Sequence, residues 1–313
     1  MGLVLGASVL EVLDLAPALQ LRSRALTVAA SFIGVLPAVV AVACVLLLVG
    51  LRGWWRLVAV ALALAAGVQL VAQAPRRAVP DAVRPNLVVL EQNTYYGWAD
   101  PAALARRASS AGADIVVLPE VTTRTLSGLD ATGWNSRYPY RAGSAVGDWN
   151  DAGLMVFARY PLRVTDAGPH AGVGLRLTVD LPEGPLTLVA VHFANPLDAW
   201  GAWTDDFTWL GRAVRTSTPP LVVAGDFNAV PQHEQLRHLL RTAGLRDAAA
   251  QVGDVWAPTF PSPRSYPPPG RWAIPVMQLD HVLVGAGVTP SDLTTFRIDG
   301  TDHRGLVAGL RVG

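Results

Sequence analysis

The sequence predicts a sheet-rich α/β sandwich over residues 86–313, preceded by membrane-spanning helices. Three observations carry this reading. Of 313 residues, 51% are apolar, and the excess sits at the front in long uncharged runs. From residue 86 the texture changes to short apolar strands alternating with a few helices. One strand pair, LRLTVDLPEGPLTLVAV, turns at Pro182-Glu183-Gly184 and so argues for antiparallel pairing.

Ala25–Leu51 carries no charge over 27 residues, more than the roughly 20 needed to cross a bilayer. Pro37 within it is a candidate kink. Arg52-Gly-Trp-Trp-Arg56 follows, a turn with two aromatics and two positive charges suited to the membrane interface. Leu57–Ala74 is a second apolar run, broken by Gln69 and Gln73 and closed by Arg76 and Arg77. Transmembrane helices are therefore expected at about 25–51 and 57–74. Gly2–Leu21 is apolar but contains Glu11 and Asp14, which are costly in mid-bilayer unless they face a protein interior. It reads as a third span, an interfacial helix over 2–21, or a piece of a span. No basic stretch precedes it, so a cleaved signal peptide is not expected.

Residues 1–78 thus form a predicted membrane region, and 79–85, with Pro80 and Pro85, a linker. The positive-inside count is nearly balanced. With the Arg52–Arg56 turn taken as cytoplasmic, the expectation is a multi-pass cell-membrane protein whose C-terminal domain is extracytoplasmic. Its partner is the lipid bilayer; no protein partner is expected.

Residues 1–85 hold seven Arg and three acids, which leaves 18 Arg against 21 Asp plus Glu downstream, a net of −3. That balance lacks the basic footprint of a protein that lives on duplex DNA. Every basic residue is Arg, which reads as compositional bias. The single Cys44 lies in an apolar run, so the chain has no internal disulfide and its C-terminal part no thiol chemistry.

In the C-terminal part, strands are expected at 86–92, 114–120, 153–159, 174–180, 186–193, 221–227, 279–284 and 305–312. Asp100-Pro101 places an acid at N-cap and Pro at N1 of a helix running to about Ala111. Further helices are expected in 198–216 and from Pro231 to about Ala243.

The segment VVAGDFNAVP (222–231) ends an apolar strand on polar groups. Residues i and i+2 of a strand share a face, so Asp226 and Asn228 point one way while Phe227 packs the other. Gly225 permits a close backbone approach. A carboxylate and a carboxamide at the mouth of a buried strand suit a hard cation or an activated water, although Gly-Asp and Asn-Ala are also ordinary loop formers. The pattern recurs. Strand 86–92 ends at Gln92-Asn93, 114–118 at Pro119-Glu120 and 186–191 at His192; strand 279–284 begins with Asp280, and Asp302-His303 precedes the last strand. Polar groups gathered at one end of many strands mark a site.

In this order, Asn93, Glu120, His192, Gly225-Asp226-Phe227-Asn228, Asp280 and Asp302-His303 resemble the motif set of the endonuclease/exonuclease/phosphatase, or deoxyribonuclease-I-like, superfamily, over about residues 86–313. The apolar front resembles membrane-attached bacterial members. The resemblance implies a four-layer α-β-β-α sandwich and phosphoester hydrolysis with Mg2+ or Mn2+. It makes Glu120 the main metal carboxylate, with Asn93 beside it and Asp302 completing the metal or His network. Asp226 orients or deprotonates the attacking water and Asn228 holds the phosphate. His303, oriented by Asp280, donates to the transition-state oxygens, with His192 as a second donor. These residue types suit the chemistry, which needs a hard cation, a base for water and donors aimed at developing charge.

The chain departs from the family pattern at Pro119, where Gln is common, and at Ala158, where Ser is common. No carboxylate supports His192 as one does in deoxyribonuclease I. Asn195 and Arg271 are candidate substrate contacts, Asn195 reading equally as a loop turn and Arg271 as a solvated charge. His281 reads as core, His233 and His238 as solvated, and His170 as incidental. Trp200, Trp203 and Trp209 read either as a lipid-facing or base-stacking rim or, from their spacings, as the inner face of a helix. The substrate class stays open among nucleic acid, a phospholipid headgroup and a small phosphoester. A lipid phosphodiesterase of sphingomyelinase type and a non-catalytic membrane-tethered binding module on the same fold are the alternatives.

Overall fold

The computed structural model describes residues 2–50, 52–73, 84–147, 153–169, 173–253, 257–263 and 273–313. Of the expected linker 79–85 only residues 84 and 85 fall within it; Arg271 and His170 lie outside the described residues.

Helices α1 (Gly2–Leu15), α2 (Arg24–Ala30), α3 (Leu36–Gly50) and α4 (Trp54–Gln73) open the chain. Strands β1 (Leu87–Glu91) and β2 (Ile115–Pro119) flank helix α5 (Pro101–Ser110). Helices α6 (Thr123–Asp130) and α7 (Trp134–Arg137) lead to β3 (Tyr140–Ser144), β4 (Leu154–Ala158), β5 (Leu162–Ala167), β6 (Gly174–Leu181) and β7 (Gly184–His192). Helix α8 (Trp200–Arg215), β8 (Leu221–Asp226), α9 (Glu234–Ala243), β9 (Arg246–Asp247) and α10 (Ala248–Gln251) follow. The chain closes with β10 (Asp280–Val284), β11 (Val288–Arg297) and β12 (Arg304–Val312).

The strands form two six-stranded sheets, ordered β11-β12-β1-β2-β4-β3 and β5-β6-β7-β8-β10-β9. Alternation explains their stacking. Leu87, Val89, Ile115 and Val117 face one way and meet Leu188, Ala190, Val222 and Ala224 of the other sheet in one buried cluster. The opposite faces carry the helices: Leu90, Val116 and Leu118 pack under α5–α7, and Val189, Val191 and Val223 under α8 and α9. Four layers result, with the core between the sheets and a smaller one beneath each helical face. The β6–β7 hairpin turns where expected, with Leu181 opposite Gly184. At α5 the Asp100 side chain accepts from Ala102 N at 2.9 Å, the N-cap read from Asp-Pro.

The N-terminal region differs from expectation. One helical stretch, Arg24–Val45, 22 residues with hydropathy 2.5, is long and apolar enough to cross a membrane. It is broken by a 3-10 turn at Ile33–Val35, after which Pro37 sits at the start of α3, where its missing N–H leaves no bond unmade. Within α4, a helix of 20 residues, the apolar stretch among the described residues is Trp54–Leu64. Among the described residues one candidate crossing stands where two or three were expected.

Helix α1 has 14 residues, about 21 Å at 1.5 Å per residue, too short to span. Its Asp14 pairs with Arg237 of α9 at 2.9 Å. Residue Gln20, wholly buried, donates to Gln232 O at 3.2 Å and accepts from Glu234 N at 2.9 Å. Thr27, also buried, accepts from Trp200 Nε1 at 3.0 Å. The front of the chain is therefore not separate from the sandwich. It docks on the α8–α9 face because α9 begins there with unmet backbone donors that Gln20 satisfies.

Candidate active site

Strand register assembles the site. On β8, Asp226 stands opposite His192 of parallel β7 and opposite Asp280 of antiparallel β10. Three polar groups thus form a row across adjacent strands of one sheet. The other sheet contributes Asn93 after β1, Glu120 after β2 and His303 before β12, so the two sheets close on each other through their polar ends.

The contacts form one network. Asn93 Nδ2 donates to Glu120 Oε1 at 2.8 Å and to Asp226 Oδ2 at 2.9 Å. Glu120 Oε2 accepts from Tyr96 N at 2.8 Å, and His192 Nε2 lies 3.7 Å from Glu120 Oε1. The Nδ1 of His303 meets Asp280 Oδ2 at 2.8 Å, and its Nε2 lies 3.9 Å from Asp226 Oδ2. Asp226 Oδ1 accepts from Asn228 N at 2.8 Å, and Asn228 Nδ2 donates to Phe193 O at 2.9 Å.

Backbone strain gathers here. Tyr95, Tyr96, Glu120 and Asn228 all have left-handed φ, 46–59°, and all four line one cavity of about 670 Å³. Non-glycine residues hold such angles only where surrounding contacts over-determine them. Gly225, at φ 146°, lies so close to Val191 that a Cβ would strike its carbonyl. The glycine is what lets β8 bring Asp226 level with His192.

Burial sets the electrostatics. Burial, then the charge of Asp280, raises the pKa of Asp226, against the pull of His303 and His192. Burial likewise raises Glu120, opposed by His192 and the Asn93 hydrogen bond. For His303, burial opposes the charged form, but Asp280 and Asp226 outweigh it and hold the imidazole well above its usual value. A carboxylate and an imidazole, both with raised pKa, thus face each other.

Donor atoms of Glu120, His192 and Asp226 converge within 4.8 Å of one another, as do those of Asp226, Asp280 and His303. The first group opens on the cavity and its paired carboxylates suit a divalent cation. Two expected ligands stand differently. Asn93 gives its amide nitrogen to both carboxylates, and its oxygen accepts from Tyr95 N at 2.8 Å. Asp302 lines the cavity beside His303 but belongs to neither converging group among the described residues.

Asn195 sits at the exposed rim with its Oδ1 accepting from Leu197 N at 2.9 Å, the loop-turn reading. His281 is buried core, bonded to Asp247 at 2.6 Å and Ala229 O at 2.8 Å, and His238 is exposed. His233, read as solvated, is fully buried between α9 and Thr27. Trp203 and Trp209 are buried, the inner-face reading.

Sequence reasoning missed Glu91. It continues the inward row Leu87-Val89 and lies buried beneath the site, where burial and then Asp280 and Asp226 push its pKa well up. The alternation of β1 carried that signal. It missed equally that Val28, Ser31 and Phe32 line the cavity.

The family model for the endonuclease/exonuclease/phosphatase family matches residues 92–303. An endonuclease/exonuclease/phosphatase from Beutenbergia cavernae is 21% identical, over 74% of this chain and 72% of that one, with a TM-score of 0.52. TDP2 of D. rerio, crystallised with a single-strand DNA product, is 16% identical over 72% and 99%, with a TM-score of 0.56. Truncated TDP2 of Caenorhabditis elegans is 17% identical over 72% and 97%, with a TM-score of 0.54. These likenesses are of fold. No curated protein sequence matches the chain.

Proposed function

The chain belongs to the endonuclease/exonuclease/phosphatase family, and we propose that it is a divalent-metal-dependent hydrolase of phosphoester bonds held at a membrane surface. The single observation that carries this reading is the row His192–Asp226–Asp280 across three neighbouring strands, closed from the other sheet by Glu120 and His303.

Glu120 would hold Mg2+ or Mn2+, with Asp226 and His192 at its side. When bound, the ion neutralises the phosphoryl oxygens. The remaining work falls to the chain's own residues. Asp226 takes a proton from the attacking water, a role its raised pKa suits. Water oxygen bonds to phosphorus, the ester P–O bond breaks, and the leaving oxygen departs as the alcohol with a proton from His303, which the proton taken by Asp226 replaces. His303 directs its Nε2 proton at the developing oxygen charge, while Asp280 on Nδ1 fixes the ring orientation. Asn228, which lines the cavity with its amide nitrogen donating to Phe193 O, would have to turn that amide to hold the phosphate.

The test uses the full chain in detergent, because its N-terminal segment packs on the catalytic layers. Hydrolysis of bis-p-nitrophenyl phosphate is expected with Mg2+ or Mn2+, reversible loss with EDTA, and loss in Asp226→Asn. Wild type indistinguishable from Asp226→Asn on this ester, on single-stranded DNA and on phospholipid would sink the reading.

A further inference from the structure

The wall of the active-site cavity is built from the chain's candidate membrane helix. Val28, Ser31 and Phe32 belong to the stretch Arg24–Val45 and line the same cavity as Glu120, Asp226 and His303. The wall is fastened, not merely adjacent. Trp200 Nε1 donates to Thr27 Oγ1 at 3.0 Å, His233 Nε2 meets Thr27 O at 3.0 Å and Ser31 Oγ at 3.1 Å, and Arg24 Nη1 reaches Leu197 O at 3.3 Å. That last bond ties the wall to a second lining segment of the cavity.

The cavity is polar at its floor and apolar at its mouth. Phe32, 46% exposed, and Leu197, 58% exposed, both line it. Beyond Phe32 the apolar surface continues along α3, where Val39, Val42 and Val45, three residues apart on one helix face, are 46%, 60% and 58% exposed. A soluble ester has no use for such a path. An ester with an apolar chain would seat its phosphate on the floor and lay the chain along Phe32 and Leu197, toward the exposed apolar face of α3.

We infer that the substrate is a membrane-borne phosphoester with an apolar chain, recognised by its phosphate at Glu120, Asp226 and His303 and by its chain at Phe32 and Leu197. This inference rests on the hydrolase reading. Water adds across the P–O bond, one product keeping the apolar alcohol or phosphate in the bilayer and the other leaving for water.

The experiment compares ethyl and octyl p-nitrophenyl phosphate, with the full chain in nanodiscs and Mg2+ present. Burying even two of the six extra methylenes raises kcat/KM by about tenfold, so wild type should prefer the octyl ester by at least that factor. In Leu197→Asp, an exposed position where folding is not at stake, the octyl-to-ethyl ratio should fall toward one, and likewise in Phe32→Asp. Simple partition of the octyl ester into the disc would leave the ratio unchanged in both variants, and that result overturns the inference. So does faster hydrolysis of a single-stranded oligonucleotide than of the octyl ester. Hydrolysis of the ethyl ester without chain preference removes the lipid substrate and keeps the hydrolase. No hydrolysis of either ester above Asp226→Asn removes both.

Discussion

Acidification should loosen the N-terminal segment from the catalytic layers through His233. This imidazole is buried among Thr27, Ser31 and Val230. Val230 N donates to its Nδ1 at 3.2 Å, so the proton sits on Nε2 and is given to Thr27 O at 3.0 Å. Protonating Nδ1 would set two donors face to face in a dry site. Burial first, then the charges of His281 and Arg237, push the pKa from 6.5 down to about 4, against the Thr27 carbonyl, which favours the charged ring. The folded value lies below the unfolded one. The group therefore contributes its full stability above pH 6.5, and loses it as pH falls through 6.5 toward 4. The loss is about 2 kcal/mol between pH 7.5 and 5, and about 3 kcal/mol once pH lies below 4. If the opening is local, protection of the Thr27–Ile33 amides falls roughly 30-fold at pH 5. The assay is hydrogen exchange by mass spectrometry on the full chain in nanodiscs, corrected for intrinsic rates, with His233→Gln as a non-titrating reference. Equal pH dependence in wild type and His233→Gln would refute the reasoning.

Other perturbations have distinct signatures. Asp280→Asn turns a carboxylate into an amide against His303 Nδ1, and should lower kcat by roughly 10–100-fold and lower thermal stability as well, because the buried imidazole loses its charged partner. Gly225→Ala forces a Cβ against the Val191 carbonyl at positive φ, and thermal denaturation should show a loss of more than about 1 kcal/mol. Removing Gln20 in Gln20→Ala leaves Glu234 N and two carbonyls unpaired, at a cost of about 1–3 kcal/mol. By contrast Asp14→Asn breaks an ion pair whose side chains are 47% and 30% exposed, and denaturation should register under about 1 kcal/mol.

Much of the site was legible because strands alternate. An apolar run that ends on an acid or an amide announces both a sheet and the edge at which its polar groups collect. Asp226, Glu120, Asp280 and His303 were readable on that ground, and the hairpin at Pro182–Gly184 from its turn residues. Strand β11 was not, because VTPSDLTTFR holds a Pro and an Asp at a bulge and pairs on only one side, so its alternation is diluted by solvent-facing polar residues. Helices α6 and α7 are short and carry few apolar residues, so periodicity is weak there.

The sequence by itself determined which segments are apolar, which are amphipathic and where each chemical group sits along its strand. Hydrophobic period is a property of neighbours three or four residues apart, and it survives without any fold. Only the tertiary structure decided what covers each face. Glu91 became part of the site when β1 met β10 across the sandwich. His233 became a buried contact when α2 came down on α9, 206 residues away in the chain. The same docking turned Asp14 and Gln20 from oddities in a greasy run into partners of α9, and made the candidate membrane helix a wall of the active site.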